Sequence, residues 1–463
     1  MKEFKVNDYI SLKLENNQTN LYVDGELFNQ CKFLMINIQI DKISEYDEIL
    51  SIDEATELSD RSMEGRDREM FEIPSEAEFW AHCSNLQVWD EYNYDTRLLH
   101  SNLAFPLLKK LTEVGDQRAK RVFKEEIAKR LASGYWPVIE FLTKEEYTDY
   151  LSREDFYRCF LGYDDQAEAE ITFLLEVENL VGGNLDVERK LETEYGRDII
   201  IENNRVIGFS FGGGLRKIPK SIGGLIFLKE IYLSDNSIQE LPNSIGSLEN
   251  LEVLDLSANE IEFLPTSIGE LKVLKVLKLA SNKVKEIPNS IGNLKALEAL
   301  DLEGNQLNNL PNSIGALTSL KQLNLKNNLL ESLPKNIKKL QNLEILDISL
   351  NDLKEIPEPV YFISSLKILD IHKNKIEILQ PEIRNLTSLK KLQLGFNKLK
   401  TLPKSICELK SLETLSLYEN ELKDIPPEIT KLNQLKKINV KKNPRIMLSN
   451  EIKYELKKIL LSD

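Results

Sequence analysis

LEVLDLSANEIEFLP occupies residues 251–265, and LKVLKLASNKVKEIP occupies residues 274–288. The second stretch is the first displaced by 23 residues. An asparagine recurs at that constant interval, at Asn236, Asn259, Asn282, Asn305, Asn328, Asn351, Asn374, Asn397, Asn420 and Asn443. Three places before it stands Leu233, Leu256, Leu279, Leu302, Leu325, Ile348, Ile371, Leu394, Leu417 or Val440. Six places after it a proline holds in eight of nine repeats, and the exception has Gln380 with Pro381 beside it. Residues two apart on a strand point the same way, so Leu254 and Leu256 share one face. A strand this short cannot bury that face alone, but stacked copies can. The chain must then turn inward, which strands backbone amides and carbonyls. An asparagine side chain carries two donors and an acceptor and can satisfy groups of its own and the adjacent repeat. The asparagines are therefore predicted to form a structural ladder. The proline sets an extended bend on leaving the strand. Ile268, Leu271 and Leu274 then return along the far side. The short period leaves room there for one 3₁₀ turn or extended chain.

The pattern L-x-x-L-x-L-x-x-N-x-L resembles the leucine-rich repeat. With the connector L-P-x-x-I-x-x-L-x-x-L, residues from Arg205 to Pro444 resemble the 23-residue repeats of the Ras-group scaffold proteins. The resemblance implies an α/β solenoid with a parallel sheet on its concave side. It also implies protein recognition, with a small GTPase or another signalling protein as a target class.

At 463 residues the chain exceeds one ordinary core, so two or more domains are expected. No apolar run reaches the roughly 18 residues of a membrane span. The start, MKEFKVNDYI, lacks the apolar core of a signal peptide. Cys31, Cys83, Cys159 and Cys407 are scattered, without metal or disulfide spacing. The expectation is a soluble cytoplasmic protein, acting as a monomer and needing no cofactor or metal. Residues 1–200 carry a net charge of −20 and residues 201–463 one of +5. The acidic half is excluded as a nucleic-acid surface, and the repeats lack the dense basic stripe with aromatics that nucleic acid needs.

Six segments are predicted. Residues 1–40 form a small β unit, with strands at YISLKLE, TNLYVDG and CKFLMINIQI. Residues 41–74 form an acidic linker. Residues 75–185 form an α-helical domain that opens on a capping box, Ser75 with Glu78, and uses Gly115 and Gly134 as helix stops. This part resembles the front ends of archaeal leucine-rich repeat proteins, a resemblance that transfers no site. Residues 186–227 join and cap the solenoid, Arg205 to Phe211 being a degenerate first strand. Residues 228–444 hold ten repeats. Residues 445–463 form a capping helix with Ile452, Leu456 and Ile459 on its apolar face and Ser449 as N-cap.

No phosphate-cradle, nucleophile-elbow or metalloprotease motif is present. One dense patch collects Trp80, His82, Cys83, Asn85, Trp89, Asp95, Arg97 and His100. His82 and Cys83 are adjacent and point about 100° apart on a helix, which disfavours a nucleophile–base pair. An enzyme reading, with a catalytic helical domain and repeats recruiting substrate, requires His82, Asp95 and His100 to open onto a pocket. A nucleic-acid or lipid reading rests on the basic later repeats. The preferred site is the concave face, where residues four, two and one before each Asn point outward. There Tyr232, Asp255, Asp301, Asp347, Asp370, His372, Phe396 and Tyr418 are predicted to meet a protein partner, with Leu350 nearby. Function is read as a protein–protein scaffold or adaptor.

Overall fold

A computed structural model describes residues 2–29, 74–99, 101–189 and 196–447. The chain divides into two compact units, Met1–Phe160 and Leu161–Asp463.

The first unit opens with four antiparallel strands in sequence order: β1 (Lys2–Lys5), β2 (Ile10–Glu15), β3 (Gln18–Val23) and β4 (Glu26–Leu27). Ile10, Leu12, Leu21 and Val23 are buried, the alternation expected of a sheet with one covered face. Asn16 and Asn17 turn β2 into β3 with φ of 51° and 59°, a left-handed pair that suits a two-residue hairpin. YISLKLE and TNLYVDG thus supply β2 and β3, while β1 and β4 were not foreseen. The third expected strand, CKFLMINIQI, lies outside the described residues, as does the acidic linker apart from Pro74.

Among the described residues five helices follow: α1 (Ser75–Glu91), α2 (Ser101–Glu113), α3 (Gln117–Ala132), α4 (Trp136–Lys144) and α5 (Arg153–Leu161). The capping box does not form. Pro74, at φ −54°, is the N-cap of α1 with no side-chain cap, and Ser75 is already helical. The helix starts one residue early because proline's fixed φ suits that junction. Asp116 caps α3, accepting from the N–H groups of Arg118 and Ala119. Phe123, Ile127 and Leu131 of α3 are fully buried at helical spacing. Phe123 meets Phe105 and Tyr147 edge-on, with centroids 5.1 and 5.9 Å away.

The second unit begins with α6 (Asp165–Val181), capped by Asp164 and closed by Gly182 at φ +65°. Then come β5 (Asp186–Val187), β6 (Arg197–Glu202) and β7 (Arg205–Phe211). One three-residue strand per repeat follows: β8 (Glu230–Tyr232), β9 (Val253–Asp255), β10 (Val276–Lys278), β11 (Ala299–Asp301) and β12 (Gln322–Asn324). The series ends with β13 (Ile345–Asp347), β14 (Ile368–Asp370), β15 (Lys391–Gln393), β16 (Thr414–Ser416) and β17 (Lys437–Asn439). These strands make one 13-stranded sheet in sequence order, parallel except for the β6–β7 hairpin. Equivalent residues pair throughout, as Leu254 with Leu277 and Leu277 with Leu300. The return path of each repeat is a five-residue 3₁₀ turn, such as Thr266–Glu270.

The sequence reading grouped α6 with the helical domain; in the structure α6 belongs to the unit of the repeats. Its Glu170 is fully buried and accepts from the N–H of Val206 on β7 at 3.0 Å. Gln166 donates to the Gly224 carbonyl, and Phe173 packs edge-on against Phe209 at 5.3 Å. An open solenoid end must be covered, and α6 covers it. The predicted C-terminal capping helix lies outside the described residues beyond Met447.

Each asparagine bridges two repeats. Asn259 Oδ1 accepts from the Ile238 N–H at 3.0 Å, and Nδ2 donates to the Leu233 carbonyl at 2.7 Å, both in the preceding repeat. Nδ2 also reaches its own Leu256 carbonyl at 3.0 Å. The other nine make equivalent bonds, for example Asn351 to Leu330, Leu325 and Ile348. All ten are buried. A second ladder runs at the surface. Seven places before each Asn stand Lys229, Glu252, Lys275, Glu298, Lys321, Glu344, Lys367, Lys390, Glu413 and Lys436. Neighbouring repeats pair through them, as Lys275 with Glu252 at 2.5 Å and Lys321 with Glu298 at 2.7 Å.

Asn351→Ala leaves the buried Leu330 N–H unpaired and takes from the Leu325 carbonyl one of its two donors, Asn328 Nδ2 being the other. We expect it to cost roughly 1–3 kcal/mol in urea denaturation. Hydrogen exchange of the Leu330 amide should accelerate; unchanged exchange there would contradict the bridging role.

Candidate protein-binding face

The concave face is built from residues on the solvent side of β8–β17. Period-two alternation puts three outward columns on it, six, four and two places before each Asn. The column at six was overlooked in the sequence. It holds Val253, Val276, Ala299, Ile345 and Ile368, all half-buried, which give an apolar floor to their own strands, and Glu230, Gln322, Lys391, Thr414 and Lys437 elsewhere. Its signal was present, since it shares parity with the columns that were read.

The residue just before each Asn obeys a different rule. It takes a left-handed backbone in every repeat, with φ from 51° at Leu350 to 66° at Gly304. Asp235, Gly304 and Asn327 tolerate this conformation. Ala258, Ser281, Leu350, Lys373, Phe396, Glu419 and Lys442 take it as well, at a cost of about 1–2 kcal/mol for any residue with a Cβ. Phe396 is also 39% exposed. Its ring centroid lies 5.2 Å from that of Tyr418. The Lys373 ammonium stands 5.4 Å from the Phe396 ring and that of Lys442 5.0 Å from the Tyr418 ring.

The aspartates four places before the Asn have a local task that the sequence reading missed. Asp301 accepts from the Glu303 N–H, Asp347 from the N–H and hydroxyl of Ser349, and Asp370 from the His372 N–H. Asn324 and Asn439 accept in the same way from Lys326 and Lys441. Each is an Asx-type turn that starts the inward bend. Burial pushes the carboxyls of Asp301 and Asp347 above the usual aspartate value, and the hydrogen bonds they accept do not offset it. Asp370 Oδ1 also meets His372 Nδ1 at 2.7 Å, which fixes the imidazole.

The predicted site residues separate into groups. Asp347, Asp370, His372, Phe396 and Tyr418 fall on β13–β16 or just beyond those strands. Tyr232 lies on β8, seven strand steps from β15 or about 34 Å at ~4.8 Å per strand. Its hydroxyl meets Glu230 at 3.2 Å. Asp255 is buried, caps the Ser257 N–H and pairs with Lys278 at 3.1 Å, so its carboxylate is committed. Asp301 stands between the groups on β11.

The patch in the first unit has a different character. His82 is buried, with Nε2 3.5 Å from Glu78. Cys83 is buried, and desolvation pushes its thiol up to about 11, far from a thiolate at neutral pH. Asp95 caps the short 3₁₀ turn Thr96–Leu98 and holds Arg97 at 2.7 Å. His100 lies outside the described residues. The dense polar network nearby is instead Asn7, Asp90, Tyr94, Asp116 and Arg118. Tyr94 donates to Asp116 at 2.6 Å, and Asn7 and Arg118 both reach Asp90. Tyr94 is fully buried, so this network joins elements of the first unit.

Residues 216–282, 267–329 and 312–400 match the family described as leucine-rich repeat region, and residues 387–444 match leucine rich repeat. The chain is a leucine-rich repeat protein. It is similar to a leucine-rich repeat protein of Leptospira interrogans, at 31% identity over 54% of this chain and 74% of that one, with a TM-score of 0.42. Similarity also extends to the TDR receptor, at 31% identity over 50% of this chain, with a TM-score of 0.47. The plant peptide hormone receptor RGFR1 in complex with RGF2 matches at 27% identity over 56% of this chain, with a TM-score of 0.46. The chain spans 42% and 49% of those two receptors. No curated protein matches the sequence. Among the described residues no helix is long and apolar enough to cross a membrane.

Asp347 is held in a setting that disfavours its charge, so the native state binds a proton up to a higher pH than the unfolded chain does. Native stability therefore falls as pH rises from the ordinary aspartate value through the raised native one. Asp347→Asn keeps the acceptor, as Asn324 shows, and removes the charge. We expect the variant to melt higher than wild type at pH 7, with the gap closing below about pH 4. A constant gap across that range would refute the assignment.

Proposed function

We propose that this protein is a scaffold or adaptor that holds an extended segment of a protein partner across its concave face, over β13–β17. The observation that supports this reading best is Phe396. A large ring, exposed and stacked on Tyr418, stands where other repeats place Ala258, Ser281, Lys373 or Glu419, so the fold does not require an aromatic there. Rigid aromatic anchors dominate protein interfaces. A solenoid held by buried ladders presents its surface pre-formed, so little ordering entropy opposes binding. The proposal extends to a monomer in the cytoplasm, which agrees with the free thiols of Cys83, Cys159 and Cys407. The connector resemblance to Ras-group scaffolds makes a small GTPase or its signalling partners the target class to examine first.

The enzyme reading finds less support. It needs an accessible nucleophile or base, whereas His82 and Cys83 are buried and Asp95 is engaged with Arg97.

Crosslinked affinity capture with the full chain, beside Phe396→Asp/Tyr418→Asp, tests the proposal. A partner retained by wild type and lost by the variant is expected. Phe396→Gly provides a second control, because glycine accepts the left-handed backbone. Its stability should stay within about 1 kcal/mol of wild type while partner retention falls at least tenfold. Equal capture by all three proteins would move the site off this face.

A further inference from the structure

The concave face changes sign along its length, and a glycine sits where it does so. Asp347 and Asp370 lie on β13 and β14, each using only Oδ1 in its turn. Lys326, the cation beside them, is taken up by Glu303 at 2.5 Å. On the far side stand Lys437 and Lys441 at β17, with Lys391 on β15 itself. Among the described residues these three have no carboxylate within ion-pair distance.

Between the two signs lies Gly395. Its backbone is not left-handed, so conformation does not demand glycine. A Cβ there would meet the Tyr418 carbonyl at 3.2 Å, tighter than ordinary contact, and that carbonyl also accepts from the Phe396 N–H. The same column carries a side chain in all nine other repeats, including Ser349, His372 and Tyr418. Glycine in a strand region of this kind marks the close approach of another group. Its column neighbours on either side are His372, fixed through Asp370, and Tyr418. They stand two strand steps apart, about 10 Å at ~4.8 Å per step. A flat group packed between two rings needs about 7 Å, two contacts of ~3.5 Å. Gly395 adds no side chain of its own column between those two residues, so the strand spacing there exceeds what a flat group needs.

Resting on the proposed use of this face, we infer that the partner segment has a charge order: cationic residues over Asp347 and Asp370, a planar side chain above Gly395, and anionic residues toward Lys437 and Lys441. From β13 to β17 is four strand steps, about 19 Å, which an extended peptide spans in about six residues at ~3.3 Å each. The cation and the anion therefore each lie about three residues from the planar side chain. Burial that raises the Asp347 carboxyl adds to the attraction, since a docked cation supplies the charge the site lacks. A peptide fits better than nucleic acid, because a polyanion would have to cross Asp347, Asp370 and Glu419.

The test is selection of a random peptide display library, about twelve residues long to exceed the span, on the full chain. Asp347→Asn/Asp370→Asn removes the acidic charge but keeps the turns, as Asn324 and Asn439 do naturally. Lys437→Glu/Lys441→Glu reverses the other end. Binders should converge on the stated charge order and weaken at least tenfold on each variant. Binders lost on Phe396→Asp/Tyr418→Asp but lacking the charge order, or indifferent to both charge variants, would overturn this inference and leave the concave-face reading standing. If no binder is sensitive to Phe396→Asp/Tyr418→Asp, both fall. Tighter retention of a thymidine oligonucleotide than of any selected peptide would also overturn it and assign the lysines to nucleic acid.

Discussion

Ten asparagine carboxamides carry the mechanical logic of this solenoid. A three-residue strand satisfies few backbone groups, and the bend after it strands more of them in a dry interior. Each carboxamide supplies one acceptor to the repeat before it and donors to both repeats. Leaving such groups unpaired costs about 1–3 kcal/mol each, a large share of a domain's net stability. The ladder tolerates a change of length at its edge: Asn236 reaches the Phe211 carbonyl 25 residues back, where later asparagines reach 26, and still accepts from the Leu215 N–H. The leucine and isoleucine columns then need only fill the space that the carboxamides define, and almost all of them are fully buried.

Because the interior is so constrained, variation is confined to the outward columns, where the repeats differ most. The aspartates there serve two purposes. Their Oδ1 atoms begin the inward turn, a task that Asn324 performs equally well. A carboxylate in that role is less comfortable than a carboxamide, as the raised Asp301 and Asp347 acids attest. The left-handed position before each Asn recurs in all ten repeats, so there the lattice fixes the backbone and leaves the side chain free to vary.

The repeats were legible in the sequence because every contact that defines them joins residues about one period apart. One short strand and one short return path per repeat could be read from spacing; the parallel pairing came with the family resemblance. Tertiary context was not so readable. Nothing local in DQAEAEITFLLEVENLV says that α6 covers the solenoid end rather than another helix, since its buried Glu170 looks like a surface residue until Val206 is placed above it. The β5–β6 edge escaped notice because its short strands lack the repeat. Pro74 displaced the expected Ser75 cap by one position. In the concave face, the residues singled out on β13–β16 were chosen by their chemistry. The apolar floor was missed by stopping the column count too early, and the task of Asp255 depended on a lysine one period away. The left-handed column could have been found, for Asp235, Gly304 and Asn327 announce it.

The alternating surface column has a consequence for how such a chain can change length. Lysine and glutamate alternate from Lys229 to Lys367, then Lys390 follows Lys367 directly before alternation resumes through Glu413 and Lys436. The asparagine ladder permits loss or duplication of any whole repeat, since every rung meets an equivalent neighbour. The charge column is stricter. Excising one repeat sets like beside like, and excising two restores the order. Growth and shrinkage by pairs are thus favoured over growth and shrinkage by ones. The phase slip at Lys367 and Lys390 is the mark that gain or loss of an odd number of repeats would leave behind.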